Sequence, residues 1–114
     1  MKILFDQGTP VPLRLYLLPN LVRTAAQQGW ASLRNGDLLN AAEAAGFDLL
    51  LTTDRNLSYQ QNLDRHLAHR KIAIIALDLQ QWPRLRPHAE EIAEAVNAAT
   101  PGSFIELNLR RHSS

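Results

Sequence analysis

Three aspartates carry the chemistry this chain can offer: Asp6, Asp37 and Asp54. Asp6 ends the apolar run Lys2-Ile3-Leu4-Phe5, and Asp54 ends the longer run Phe47-Asp48-Leu49-Leu50-Leu51-Thr52-Thr53. Short apolar runs in a chain that alternates strands with helices predict buried parallel strands. Open α/β sheets place ligands and chemistry at the carboxyl ends of such strands. Asp37 opens a predicted helix, and right-handed crossovers bring helix starts to the same sheet edge. Three carboxylates converging there repel one another unless a cation sits among them. Hard oxygen donors, with water in the remaining positions, suit Mg²⁺ or Mn²⁺. Such an ion acidifies a bound water and stabilises charge on a phosphoryl oxygen, which is the chemistry of phosphodiester hydrolysis. Taken singly, each aspartate is an ordinary cap for the turn or helix that follows. Taken together, the three are predicted to be metal ligands and catalytic residues.

Other polar residues add less. Thr52 shares strand parity with Asp54, so its hydroxyl is expected on the same side, either orienting a water or satisfying a backbone group. Glu43 lies six residues beyond Asp37, about 600° around a helix, so it diverges from that acid and is expected to face solvent. His66 and His69 are three apart without an acidic companion at helical spacing, and read as exposed polar residues. There is no Gly-rich phosphate loop, no Ser-His-Asp order and no zinc spacing.

The elements that must position these acids follow from periodicity. Thr9-Pro10 has the form of a helix start, Thr as N-cap and Pro at the first helical position. Val11, Leu15 and Leu18 then recur at helical spacing until Pro19. Leu21 to Ala25 is a second strand, broken at Gln27-Gln28-Gly29, with Trp30 and Leu33 expected as wall or core residues. Asn35 is the predicted N-cap of a helix whose stripe is Leu38, Ala41, Ala42 and Ala45, with Gly46 as its C′ residue. The third strand reaches Asp54. A polar stretch from Tyr59 to Arg70 forms a short helix or an exposed loop. Ile72 to Leu77 is a fourth strand. Leu85, Ala89, Ile92, Ala93 and Val96 mark a final helix entered through Pro83 and Pro87. Phe104 to Leu107 is the last strand. This order predicts an α/β fold, a three-layer α/β/α sandwich around a mainly parallel sheet of about five strands.

At 114 residues the chain has room for one domain, predicted over residues 1–109, with 110–114 as a flexible tail. A domain this long buries roughly two-thirds of its unfolded surface without staples. The absence of cysteine excludes disulfides and thiolate metal sites. No apolar stretch is long enough for a membrane span or a signal segment, so a cytoplasmic location is expected. Net charge is only +1, but Lys2 and Lys71 are the only lysines among 12 basic residues, so ten are Arg. Arg suits phosphate because its planar fork pairs with two oxygens. Arg14, one turn into the first helix, and Arg55, next to Asp54, are predicted to contact nucleic acid, whereas Arg110 and Arg111 on the tail should matter less.

Lys2-Ile3-Leu4-Phe5-Asp6 and Leu50-Leu51-Thr52-Thr53-Asp54-Arg55-Asn56 resemble the two signature segments of PIN-like domains. The similarity is nearest to their short, uncharacterised bacterial branch, where Asn35-Gly36-Asp37-Leu38-Leu39 would supply the helix acid, and it covers roughly residues 1–107. The resemblance implies a Mg²⁺- or Mn²⁺-dependent ribonuclease acting on RNA. It also implies a toxin inhibited by a small DNA-binding antitoxin, and a homodimer. Gln7 stands where related small proteins often carry a second acid. Asn56 stands where they often carry another Asp, keeping an oxygen ligand but losing a charge. The alternative is a catalytically silent PIN-like module that binds nucleic acid or a partner protein. A phosphoacceptor receiver domain would need an acid at Gln7, Thr or Ser at the end of the fourth strand and Lys at the end of the fifth, and none is present.

Overall fold

A computed structural model describes residues 1–33, 35–54 and 71–112; of Asn35, Arg111 and His112 only the backbone is described. Five strands form one sheet: β1 (Lys2–Phe5), β2 (Leu21–Thr24), β3 (Leu49–Thr52), β4 (Ala73–Leu77) and β5 (Phe104–Leu107). Every pairing is parallel, and the spatial order is β2-β1-β3-β4-β5. The central strands β3 and β4 are buried at every position, as a parallel sheet covered on both faces requires.

Strand parity divides the apolar residues between two clusters. Ile3, Phe5, Leu49, Leu51 and Ile75 pack with Leu13, Leu17, Leu85, Ile92 and Val96. Leu4, Leu50 and Ile74 pack with Leu38, Leu39, Ala42 and Phe47. The α/β fold with a parallel five-stranded sheet is therefore as the sequence predicts.

Helix α1 (Asn35–Ala44) ends in a Schellman motif. The Gly46 amide donates to the Glu43 carbonyl and the Phe47 amide to that of Ala42, both at 3.0 Å. Gly46 has φ +84°, which is why glycine is favoured there. Asn35, the predicted cap, is instead the first residue of this helix. Glu43 does not simply face solvent: it accepts the Lys71 amide at 2.7 Å, tying α1 to the start of β4.

The first predicted helix is instead a 3-10 segment, Val11–Leu17, preceded by Pro10 in an extended conformation. Thr9 does not cap it, because its hydroxyl is engaged elsewhere. The last predicted helix is divided into α2 (Trp82–Leu85), a 3-10 turn (Arg86–His88) and α3 (Ala89–Ala98). Pro87 has no amide to continue the ladder, so the break falls around it. The predicted apolar stripe still holds, with Leu85, Ala89, Ile92 and Val96 buried.

The domain ends in a turn that runs into the first residues of the predicted tail. Residues Leu109–His112 form a 3-10 turn, with Leu109 fully buried. Its first two amides donate to the Asp78 carboxylate, from Leu109 at 3.0 Å and from Arg110 at 3.2 Å. Asp78→Ala should therefore lower stability by about 1 kcal/mol, the usual size of a lost cap. Thermal melting checks this, and an unchanged midpoint would mean the turn is held by Leu109 alone. No helix among the described residues is long and apolar enough to cross a membrane. The predicted segment from Tyr59 to Arg70, with His66 and His69, lies outside the described residues.

Candidate functional site at the ends of β1 and β3

Strand register brings the first acid to its neighbours. Phe5 pairs with Leu51 across β1 and β3, and the Asp6 amide continues the ladder by donating to the Leu51 carbonyl at 3.2 Å. Asp6 thus comes level with Thr52, the next residue of β3. The Thr52 hydroxyl donates to Asp6 Oδ2, and it accepts the Asp54 amide at 3.0 Å. Thr52 therefore satisfies a backbone group, one of the two roles expected of it, and also holds the Asp6 carboxylate.

The other oxygen of Asp6 is held by Thr9, whose buried hydroxyl lies 2.6 Å from Oδ1 and 3.0 Å from the Leu51 carbonyl oxygen. A hydroxyl has one proton, so Thr9 can satisfy only one of these acceptors fully. An asparagine at position 6 would resolve this. Its amide could donate to Thr9, releasing the Thr9 proton to Leu51, while its carbonyl oxygen accepts from Thr52. In EDTA, Asp6→Asn should therefore melt no lower than wild type. A clear drop in melting temperature would show that the charge of Asp6 is itself structural.

Asp6 and Asp54 line the same open cleft of about 540 Å³. It lies at the carboxyl ends of β1 and β3, where the strand order reverses direction, the switch point at which open α/β sheets bind ligands. Its polar lining also includes Gln7, Thr52, Thr53 and Gln80, and its apolar lining includes Ala25, Trp30, Leu33, Leu38 and Leu50. The cleft is where the second apolar cluster opens towards the sheet edge.

Thr53 gives the polar lining an unusual feature. It is only 1% exposed, and its hydroxyl has no hydrogen-bond partner among the described residues. A Cβ on Gly8 would lie 2.6 Å from that hydroxyl, so only glycine leaves the oxygen its room.

Asp37 is exposed on the first turn of α1 and does not line the cleft, although Leu38, the next residue, does. One residue is about 100° around a helix, enough to turn the carboxylate away from the face that Leu38 presents. Among the described residues no three of His, Cys, Asp and Glu form a group able to hold a metal ion. The expected convergence thus brings together two of the three acids. Arg14 is exposed on the 3-10 segment and is not a lining residue. Arg55 and Asn56 lie outside the described residues. No family model, curated protein or solved structure matches this chain.

Thr9, Gly8, Thr53 and Gln80 join the site although none is expected there from the sequence, Thr9 being expected only as a helix cap. Thr9 was legible as a residue three places after an acid in a turn, where the Thr9 amide donates to the Asp6 carbonyl at 3.2 Å and the hydroxyl can reach back. Gly8 and Thr53 meet only in three dimensions. Gln80, which donates to the Thr53 carbonyl at 3.5 Å, has no local signature.

Proposed function

We propose that this protein is a Mg²⁺- or Mn²⁺-dependent endoribonuclease of PIN-like type, with the Asp6–Asp54 cleft as its active site. The observation that carries this reading is the pair of carboxylates at the β1/β3 switch point, with both oxygens of Asp6 held by threonine hydroxyls. A carboxylate offers about four lone-pair sites, so two hydroxyl contacts leave Asp6 able to ligate.

The donor set fits a hard cation. Asp6, Asp54 and the Thr53 hydroxyl are all oxygen donors, and the absence of a Cβ at Gly8 keeps space beside Thr53. No Lys or Arg is found among the described lining residues. A phosphate would share the sign of both acids, and a divalent cation is what would reconcile them. When bound, the ion supplies Lewis-acid stabilisation of a phosphoryl oxygen and a more acidic water. The protein's own part is positional: Thr9 and Thr52 fix Asp6, while Asp54, exposed and lining the same cleft, would share the ion with it. Arg55 follows Asp54 in the chain and Arg14 lies on the 3-10 segment after β1, and both belong to the proposal as phosphate contacts.

The test is incubation of a mixed single-stranded RNA pool with Mg²⁺ or Mn²⁺, with EDTA as control. Metal-dependent internal cleavage supports the reading, and intact RNA under all conditions removes it. A toxin role, a small DNA-binding antitoxin and a homodimer belong to the same proposal. A neighbouring gene for a short helix-turn-helix protein would support the antitoxin.

One observation favours a second reading. Asp37 does not reach the cleft, which leaves two described carboxylates for the ion. A silent PIN-like module would bind nucleic acid or a partner protein and cut nothing. RNA retained by the protein but left intact with either metal would favour it.

A further inference from the structure

We infer that Trp30 forms the wall against which an unpaired nucleobase of the substrate stacks, making it a specificity-determining residue of the proposed nuclease. The inference rests on that functional reading and adds the part of the substrate that the acids do not address. The cleft is lined by two chemically distinct groups, carboxylates and hydroxyls at the strand ends and Trp30, Leu33 and Leu38 from the second apolar cluster. A phosphodiester engages only the first group. What remains of a nucleotide is a flat, apolar-faced base with polar edges, and an aromatic wall beside the acids suits it.

Trp30 is half-buried, so it is both anchored and accessible. Its partner Phe47 sits at 6.0 Å between ring centroids with the planes 69° apart. An edge-to-face contact occupies at most one face of the indole and leaves the other unclaimed by Phe47. The Trp30 amide donates to the Ala25 carbonyl at 2.8 Å and the Leu33 amide to the Trp30 carbonyl at 2.9 Å, so its backbone is fixed beside β2. Gln7, Ser32 and Gln80 line the same cleft and present donors and acceptors for a base edge. The cleft volume of about 540 Å³ falls within the range of roughly 300–1,000 Å³ that encloses small ligands. A duplex keeps its bases stacked on each other and out of reach of such a wall, so the strand must be single.

The chain has two tryptophans, and Trp82 packs against Tyr16 with ring centroids 5.8 Å apart and is not a lining residue of the cleft. Trp82→Phe therefore leaves Trp30 as the sole indole reporter. Its fluorescence is titrated, in Mg²⁺ and again in EDTA, with a single-stranded oligoadenylate, the same strand made abasic, and an RNA duplex. Quenching by the base-bearing strand in at least one buffer, with little from the other two, is the expected result. Equal quenching by the abasic strand, or none by any strand, overturns the inference. As a second measure, Trp30→Leu should weaken single-strand affinity by roughly tenfold, since one base–aromatic stack is of that order, and Trp30→Tyr should restore most of it. Restoration by neither Tyr nor Phe at position 30, in folded variants, also counts against stacking. RNA cleavage without Trp30 quenching would leave the nuclease reading standing and remove this inference. Quenching without cleavage would do the reverse.

Discussion

Asp54→Asn is expected to lose RNA cleavage by at least about 100-fold while remaining folded. A residue that merely orients a ligand costs roughly 10- to 100-fold when lost, and a direct ligand of the ion should cost more. Asp54 is exposed, so little packing depends on it, and the hydrogen bond that its amide donates to the Thr52 hydroxyl is made by the backbone and survives the substitution. Asp6→Asn should show a similar loss of activity for the same reason. Thr52→Val should fall between these variants and wild type, because it removes the hydroxyl that holds Asp6 Oδ2 and accepts the Asp54 amide but leaves both carboxylates in place. The rates are read from single-turnover cleavage at saturating Mn²⁺. An Asp54→Asn rate within about threefold of wild type would place the chemistry elsewhere.

Gly8→Ala is expected to cost about 1–3 kcal/mol of stability, the usual penalty for a forced overlap with a side chain that packing holds in place. The added Cβ would lie 2.6 Å from the Thr53 hydroxyl, closer than such atoms can approach. Thr53 cannot easily turn aside, because it is buried and its β-branched side chain is stiff at χ1. The φ of Gly8 lies outside the left-handed range, so the contact alone carries the cost. In a Thr53→Ala background the offending oxygen is gone, and Gly8→Ala should then be neutral or slightly stabilising. The melting temperatures of the four proteins form a double-mutant cycle that isolates the contact. Equal penalties in both backgrounds would show that Gly8 is required for another reason.

The sheet was legible in the sequence because its strands are short apolar runs bounded by polar residues and turns. Leu49–Thr52 and Ala73–Leu77 are buried on both faces, and no helical pattern competes with them. The position of Asp6 and Asp54 followed from that alone, since each ends a strand of the same parallel sheet. Asp37 did not follow. Placing its helix at the right edge says nothing about the phase of the helix, and one residue of rotation separates Asp37 from the cleft-lining Leu38. The Thr9-Pro10 pair shows the reverse case, a local signal overridden by a tertiary one. Thr9 is a good cap by type, but the Asp6 carboxylate and the Leu51 carbonyl claim its hydroxyl, and the segment that follows becomes a 3-10 helix. Gly8 against Thr53 has no signature at all along the chain, because the close approach exists only once β1 and β3 are paired.

The central claim is that Asp6 and Asp54 hold one divalent ion between them, and calorimetric titration of the metal-free protein with Mn²⁺ tests it most directly. Wild type should show a single site, and Asp54→Asn should bind at least about tenfold more weakly, as loss of one of two carboxylate ligands requires. The same titration with Asp37→Asn should be nearly unchanged, since Asp37 stands outside the cleft. Mn²⁺ affinity that is unaltered in Asp54→Asn, or absent from wild type, would contradict the assignment.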